Sequence, residues 1–259
     1  MERISIAAET RSPSGRTSAY VVGTDPAVLI DPAGQSARLD DALADRSLAH
    51  VVVTHHHADH VGGVPTYADG HDATVWARLG RDDSFEAATG VVADRFFSDG
   101  TTIPTDDGHV RIVDTPGHAP EHVAVVTDEG ICCGDLAVES GSVVVGAPSG
   151  DMRAYCSSIR RMIARDPLRL YPSHGPVITS PVATCKRLLA HRLDREQRVR
   201  SAVADGATAV AEITDGAYDK DVSHVRDLAE ATVRAHLEKL SVEGRVDWDG
   251  RRADPAGDG

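Results

Sequence analysis

The stretch Thr54-His55-His56-His57-Ala58-Asp59-His60-Val61-Gly62-Gly63 decides what this sequence encodes. It directly follows residues 50–53, a histidine and three valines that predict a buried β-strand. The spacing His-x-His-x-Asp-His places four metal-binding side chains in a strand-to-helix loop. Such a loop can turn the first pair to one side and the second pair to another, and thereby supply ligands to two neighbouring metal ions. A merely solvated histidine-rich loop would need neither the buried strand before it nor the glycine pair after it.

Three more potential ligands stand where other predicted strands end. His118 follows a Pro-Gly pair, Asp135 follows Cys-Cys-Gly, and His174 lies within Tyr-Pro-Ser-His-Gly-Pro. Loops at one edge of a sheet present such side chains to a common site. Each of the three alone fits an ordinary loop residue, but together with the histidine-rich loop they complete the ligand set of a dinuclear centre.

These segments together resemble the signature of the metallo-β-lactamase-fold hydrolases over roughly residues 1–180. The resemblance implies a fold of the α/β (α+β) class, an αβ/βα sandwich with the metal ions at one edge. In this family one ligand position bridges both metal ions. An aspartate at that position resembles the thioesterase and nuclease branches and differs from the common zinc lactamases. The resemblance also implies one metal ion bound by His55, His57 and His118 and a second bound by Asp59, His60 and His174, with Asp135 bridging both.

This ligand set predicts two Zn²⁺ ions per chain, with iron or manganese as the alternatives for a site of mixed nitrogen and oxygen donors. Two such ions lower the pKa of a bridging water toward neutrality, so the expected nucleophile is a metal-bridging hydroxide. Asp59 is the predicted catalytic residue, because it can bind a metal ion and orient this hydroxide. Asp31 is predicted to support the histidine loop from behind, as is His122, for which a purely structural role is the alternative.

The sequence pattern changes after about residue 180. Residues 1–180 form the predicted catalytic domain, and residues 181–204 form a linking helix. Residues 205–254 read as helix, longer helix and short strand, which resembles the C-terminal winged helix of one lactamase-β-like branch, some of whose members are single-strand-specific endoribonucleases. The related glyoxalase II enzymes usually carry a different helical domain there. Residues 255–259 are predicted to form a disordered tail.

The chain is strongly acidic, with a net charge of −13. Such a surface stays soluble where salt screens its self-repulsion, which favours a halophilic source; an acidic mesophile with GC-rich codon usage is the alternative. No apolar run approaches the ~18 residues of a membrane span, so we expect a cytoplasmic protein without membrane contact. Four cysteines without CxxC spacing fit reduced thiols in that compartment.

One basic segment interrupts this acidity, because residues 151–200 carry 11 basic and 4 acidic side chains. We name these residues the basic island. Arg160, Arg161 and Arg165 are its predicted substrate-binding residues, since arginine grips anions through paired hydrogen bonds. The alternative is an intramolecular seam, in which the arginines pair with acidic residues of the neighbouring domain. The aromatic content of 4% weakens the case for stacking on nucleic-acid bases.

Three functions follow as hypotheses. The preferred one is hydrolysis of a small anionic ester or thioester, similar to glyoxalase II. The first alternative is endonucleolytic cleavage of single-stranded RNA. The second is a non-catalytic regulator that retains the fold, which the complete ligand set argues against. The expected partner is therefore a small anionic substrate, with RNA as the alternative, and the sequence indicates no oligomeric state.

Overall fold

A computed structural model describes residues 1–106 and 108–257 of the chain. Contacts divide these residues into two compact units. The sheet unit comprises residues 1–115, 121–141 and 167–181, and the helical unit comprises residues 116–120, 142–166 and those from 182 onward. The division predicted from the sequence differs, because it keeps residues 142–166 with the catalytic domain. Those domain boundaries stay a prediction.

The first sheet of the sheet unit contains six strands in their order along the chain. The first three strands pair antiparallel, and the third to sixth pair parallel. Parallel pairing requires crossover connections, which here contain helices. The strands are β1 (Glu2–Ala7), β2 (Arg16–Val22), β3 (Ala27–Ile30), β4 (Leu48–Val52), β5 (Thr74–Arg78) and β6 (Arg95–Phe97).

Four helices lie in these crossover connections: α1 (Ala37–Leu43), α2 (Ala58–Val61), α3 (Val64–His71) and α4 (Asp82–Thr89). The first begins at a side-chain cap, because the Ser36 hydroxyl accepts a hydrogen bond from the Leu39 N–H at 3.2 Å. Leu39, Val64 and Phe85 pack in one buried cluster with the first sheet. The helices therefore cover one face of that sheet.

The second sheet contains five strands whose spatial order is the reverse of their order along the chain. All its pairs are antiparallel except the pair formed by the last two strands along the chain, which is parallel. Side chains from both sheets form one buried cluster between them, so the two sheets pack face to face. The strands are β7 (Thr102–Thr105), β8 (Gly108–Asp114), β9 (Val123–Thr127), β10 (Gly130–Gly134) and β11 (Leu170–Pro172).

Side chains alternate along β3, so this strand packs against the second sheet on one face and against the helices on the other. Val28 and Ile30 face the second sheet, whereas Ala27 and Leu29 face the helices. All four residues are apolar because both faces of the strand are buried. This layered arrangement confirms the mixed α/β class predicted from the sequence.

The helical unit contains two long helices and a winged-helix arrangement. A separate core joins the end of its longest helix to the two following helices and to the C-terminal β-hairpin, with Val199, Ile213 and Leu237 among its buried residues. No helix among the described residues is long and apolar enough to span a membrane. The elements are α5 (Met152–Arg165), α6 (Pro181–Ala204), α7 (Val210–Ala217), a short 3₁₀ turn (Ser223–Val225), α8 (Arg226–Val242), β12 (Val246–Trp248) and β13 (Ala253–Pro255).

The predicted tail, residues 255–259, is only partly covered by the structure. Pro255 is the last residue of β13 and pairs with Val246. Asp258 and Gly259 lie outside the described residues.

Leu29→Ala tests whether the layered core supplies the stability of the sheet unit. Leu29 is fully buried, so we expect its truncation to lower the free energy of unfolding by about 2–5 kcal/mol. Leu168→Ala is the matched control, because Leu168 is 76% exposed and its truncation should cost less than about 0.5 kcal/mol. Denaturant unfolding of both variants measures the difference, and equal losses would contradict this description of the core.

Candidate metal centre

The histidine-rich loop begins where β4 ends and continues into α2. His57 is the N-cap residue of α2, with extended backbone angles of φ −67° and ψ 144°. The following glycine pair lets the chain pack closely against the residues after β3, because a Cβ on Gly62 would lie 2.6 Å from the carbonyl oxygen of Ala33. The Gly63 N–H donates to the carbonyl oxygen of Pro32 at 2.7 Å. Any larger side chain at Gly62 would push the loop away from the sheet.

The buried carboxylate of Asp31 ties this loop to the sheet. Oδ1 accepts from the Thr54 N–H at 2.6 Å, and Oδ2 accepts from the Thr54 hydroxyl at 2.7 Å. Oδ2 also accepts from Nδ1 of His60 at 3.0 Å and from the Ser173 hydroxyl at 3.3 Å. Asp31 adopts a left-handed backbone conformation with φ 50°. That conformation costs on the order of 1 kcal/mol, which the four hydrogen bonds offset.

The contact with Asp31 determines which way His60 presents its second nitrogen. Nδ1 donates to Asp31, so Nε2 faces the opposite direction. This Nε2 is buried and has no hydrogen-bond partner among the residues that the structure describes. It lies 3.8 Å from Oδ1 of Asp135 and 3.9 Å from Oδ2 of Asp59. A polar atom buried in this way costs about 1–3 kcal/mol unless another group or ion satisfies it.

His174 approaches the same two carboxylates from the end of β11. Its Nδ1 donates to the carbonyl oxygen of Arg16 at 3.0 Å. Its Nε2 lies 3.4 Å from Oδ2 of Asp59 and 3.4 Å from Oδ1 of Asp135. Two ligands of a tetrahedral zinc ion lie about 3.4 Å apart, so these atoms are spaced to share a cation.

The carboxylates change the protonation of both histidines. Burial lowers the pKa of His60, but the negative charges of Asp31, Asp135 and Asp59 outweigh it and raise that pKa to about 9. Burial also opposes the charged form of His174, while its hydrogen bond with Asp135 raises the pKa. The cluster therefore requires positive charge, which either protons on the imidazoles or metal ions can supply.

His55 and His57 form a second pair of converging imidazoles. Nε2 of His55 lies 3.0 Å from Nδ1 of His57. Nδ1 of His55 lies 3.1 Å from the Thr54 hydroxyl. His55 is buried and His57 is exposed. Because the two nitrogens point toward a common position, they can bind one cation together.

Asp135 is positioned through its backbone by His122. The Asp135 N–H donates to Nε2 of His122 at 3.0 Å, so Nδ1 of His122 carries the proton and donates to the Thr115 hydroxyl at 2.8 Å. Gly134 makes this approach feasible, because a Cβ there would lie 2.6 Å from Nε2 of His122. The contact explains why the sequence has glycine before the aspartate.

His118 belongs to the helical unit, in the segment Pro116–Pro120. Its Nδ1 donates to the carbonyl oxygen of Val144 at 2.6 Å. Because Nδ1 carries the proton, the lone pair of the neutral imidazole is on Nε2, and in this tautomer Nε2 can bind a metal ion. The role of His118 as the third ligand of the first metal ion stays a prediction.

Several supporting residues carry no recognisable signal in the sequence. Glu121 is buried, and its Oε1 accepts from the His56 N–H at 3.1 Å. The ring of His56 lies against Phe85, with ring centroids 5.4 Å apart, and His56 is absent from the candidate ligand groups of the described residues. The Thr17 hydroxyl donates to Oδ2 of Asp59 at 3.5 Å. Only the folded chain brings these residues together.

The arginines of the basic island divide into two groups. Arg160, Arg161 and Arg165 are exposed on α5, a helix with four arginines and no acidic residue. Arg192 and Arg195, in contrast, donate to backbone carbonyl groups of the helical unit. In α6, Arg192 and Arg195 therefore bind backbone of the helical unit, whereas Lys186, Arg187 and Arg198 are exposed. The arginines of α5 form an exposed charged surface.

Two family models match the chain. The model of the metallo-beta-lactamase superfamily matches residues 13–174, and that of the beta-lactamase associated winged helix domain matches residues 209–253. A beta-lactamase domain protein from Burkholderia ambifaria has a similar crystal structure, with a TM-score of 0.80 and 21% identity over 98% of this chain and 91% of that chain. At this identity the structural similarity shows the fold alone.

Three curated relatives carry informative names. A beta-lactamase-like protein 2 homolog of Drosophila melanogaster is 27% identical over 89% of this chain and 84% of its own length. An atrochrysone carboxyl ACP thioesterase of Aspergillus fumigatus is 30% identical over 91% of this chain and 59% of its own length. A hydroxyacylglutathione hydrolase of a Shewanella species is 34% identical over 47% of this chain and 48% of its own length.

The family match spans more than half of the chain and includes the histidine-rich loop and the positions of His118, Asp135 and His174. It confirms the resemblance on which the fold was predicted. The chain belongs to the metallo-β-lactamase superfamily of hydrolases and carries a C-terminal winged-helix domain.

Proposed function

We propose that this chain is a dinuclear metal-dependent hydrolase of a small anionic ester or thioester. The observation that carries the proposal is the buried Nε2 of His60, which has no hydrogen-bond partner among the described residues and faces the carboxylates of Asp59 and Asp135. Buried polar atoms are nearly always satisfied, so a cation fits this position. Nitrogen and carboxylate donors suit Zn²⁺, with iron or manganese as the alternatives.

The residues of the site have two roles in this proposal: some would bind the metal ions, and others position these ligands. When bound, the two cations lower the pKa of a water molecule and stabilise the negative charge that develops on the substrate carbonyl. Asp31 and His122 contact ligands rather than substrate, and they fix the direction in which His60 and Asp135 point. Asp59, His60 and His174 would hold one ion and His55, His57 and His118 the other, with Asp135 shared between them.

Asp59 has a second role in this proposal. Its Oδ2 accepts from the Thr17 hydroxyl at 3.5 Å and lies 3.4 Å from Nε2 of His174. A carboxylate held on two sides can orient a water molecule and accept its proton. Thr17 thereby becomes a residue that positions Asp59.

The thioester class is supported by the relatives rather than by a feature of this chain alone. One relative is named as a thioesterase and another as a hydrolase of hydroxyacylglutathione. The exposed arginines of α5 supply positive charge in a chain whose net charge is −13. Such a surface attracts an anionic acyl substrate at low salt, an effect that salt screens and that adds little to turnover at the metal centre.

The same arginines favour the second candidate, cleavage of single-stranded RNA. The winged helix, however, offers little free positive charge to a nucleic acid. Arg226 pairs with Asp215 and with Glu230 at 2.9 Å, and Lys239 pairs with Glu196 at 2.8 Å. A recognition helix whose cations are already paired is a poor phosphate binder. We therefore prefer the small substrate.

We also infer a reducing, salt-rich cytoplasm. Cys132, Cys133, Cys156 and Cys185 are all buried and form no disulfide among the described residues, which suits a compartment that keeps thiols reduced. Strong net negative charge suits high salt, because screening removes the self-repulsion.

Asp135→Ala and His118→Ala test the ligand assignment. Each should lower thioester turnover well beyond the roughly 100-fold loss that is typical when a residue hydrogen-bonded to a metal ligand is removed. Elemental analysis of the unaltered protein should give about two metal ions per chain. Asp205→Ala and His109→Ala are matched controls at exposed positions and should retain turnover. A fully active preparation that contains no transition metal would contradict the proposal.

Asp31→Asn tests whether the buried carboxylate positions His60. An amide at this position presents donors to groups that are themselves donors, so metal affinity should fall about 10- to 100-fold. Asp94→Asn is the matched control, because Asp94 accepts from the Val75 N–H at 2.8 Å at a place remote in sequence from the ligands. Competition with a chelator measures both variants, and an unchanged affinity in Asp31→Asn would exclude this role.

The triple variant R160A/R161A/R165A separates the two candidate substrates. Turnover of a small thioester should stay within about twofold, because screened surface charge adds little to a reaction at the metal centre. Any RNA binding should weaken, and its salt dependence should flatten by a slope of about 0.7 per lost phosphate contact.

R38A/R111A/R245A, which removes three exposed arginines elsewhere, controls for net charge in this comparison. Tight RNA binding at molar salt that the R160A/R161A/R165A variant loses, with an unchanged melting temperature, would favour the nuclease. A loss of thermal stability together with both activities would instead identify the α5 arginines as an internal seam.

A further inference from the structure

The short segment before α5 holds His118 by a backbone contact. Nδ1 of His118 donates to the carbonyl oxygen of Val144 at 2.6 Å. The adjacent carbonyl group, that of Val143, accepts a hydrogen bond from the guanidinium of Arg192 in α6. Arg192 is only 3% exposed. Val144 thus holds the imidazole of His118, and the buried Arg192 holds the carbonyl group of the preceding residue, Val143.

A second contact of Arg192 reaches the other side of the His118 segment. The guanidinium lies over the ring of Tyr155, 5.4 Å from the ring centroid, and hydrogen-bonds with the Tyr155 side chain. The backbone of Tyr155 in turn packs under Gly117, where a Cβ would lie 2.4 Å from the Tyr155 Cα. Gly117 has φ +139°, a conformation that favours glycine. Arg192 thus contacts both supports of the loop that carries His118.

The winged-helix domain supports the same segment through α8. The Ala147 N–H donates to the carbonyl oxygen of Ala231 at 3.0 Å. Gly146 packs so closely that a Cβ there would lie 2.8 Å from the Ala231 side chain. The segment from Val143 to Ala147 is therefore fixed by α6 at one end and by α8 at the other.

We propose that Arg192 is a positioning residue for His118 and that the C-terminal helices hold the imidazole of this candidate ligand. The inference rests on the proposed function, in which His118 binds a metal ion. A histidine ligand binds well only when its ring direction and tautomer are fixed by the partner of its other nitrogen. Burying a guanidinium is costly unless its contacts are specific, and Arg192 directs its contacts to the two supports of this loop.

Arg192→Met and Arg192→Lys test the inference. The methionine removes the hydrogen bonds while retaining much of the volume, and the lysine retains the charge but not the planar fork. Arg195→Met and Arg195→Lys are the matched controls. Arg195 lies in the same helix and makes the same two kinds of contact, donating to the carbonyl oxygen of Ala217 and lying 3.5 Å from the ring centroid of Tyr218.

Two measurements are made on each variant in addition to turnover. Chelator competition measures the affinity of each metal ion, and ¹⁵N NMR of the imidazoles in metal-free protein reports the tautomer of His118. We expect Arg192→Met to weaken one of the two ions by about 10- to 100-fold and to mix the tautomers, with Arg192→Lys intermediate. The Arg195 variants should lose thermal stability to a similar extent while keeping the metal affinities and the tautomer of the unaltered protein.

Wild-type affinity for both ions in Arg192→Met would overturn the inference, as would an equal loss of affinity in the Arg195 variants. If Arg192→Met does not fold, Arg192→Lys and Tyr155→Phe, which removes one hydroxyl, undergo the same measurements and the same criteria. A chain that binds no metal refutes the proposed function, and the tautomer of His118 then decides separately whether Arg192 positions it.

Discussion

The buried carboxylate of Asp31 is the interaction on which the rest of the candidate metal centre depends. It joins the end of β3 to Thr54 at the start of the histidine-rich loop, to His60 in α2 and to Ser173 after β11. A buried carboxylate is tolerated only when donors surround it, and this one accepts four hydrogen bonds. The same bonds therefore satisfy the charge and fix the direction of an imidazole.

Concentrated negative charge is the second constraint. Asp31, Asp59 and Asp135 lie around His60 closely enough to raise its pKa to about 9 despite burial, which lowers it. Protons on the imidazoles or metal ions can balance this cluster, so metal binding would be coupled to the order of the loop. The ligands stand on loops at the ends of strands, while the apolar core lies between and beside the sheets. Changing a ligand should therefore cost activity far more than stability.

The sequence sufficed to predict the fold, which the family match confirms, because the histidine-rich loop and the residues at the strand ends are chemically distinctive. The ligand assignment drawn from the same residues stays a prediction. The sequence could not reveal Glu121 or Arg192, whose partners His56 and Val143 lie 65 and 49 residues away. It also left an exposed surface and an intramolecular interface as alternatives for the whole basic island, whereas Arg192 is buried and Arg165 is exposed. Charge along a sequence does not distinguish an arginine in solvent from one that binds a backbone carbonyl group.

Anomalous X-ray diffraction from crystals of the protein purified without chelator tests the central claim most directly. The account predicts two strong peaks at the absorption edge of a transition metal. One of them should lie within bonding distance of Nε2 of His60 and Nε2 of His174, and Asp135 should contact both. A density map that shows no such peaks, with Nε2 of His60 hydrogen-bonded to a carboxylate instead, would contradict it.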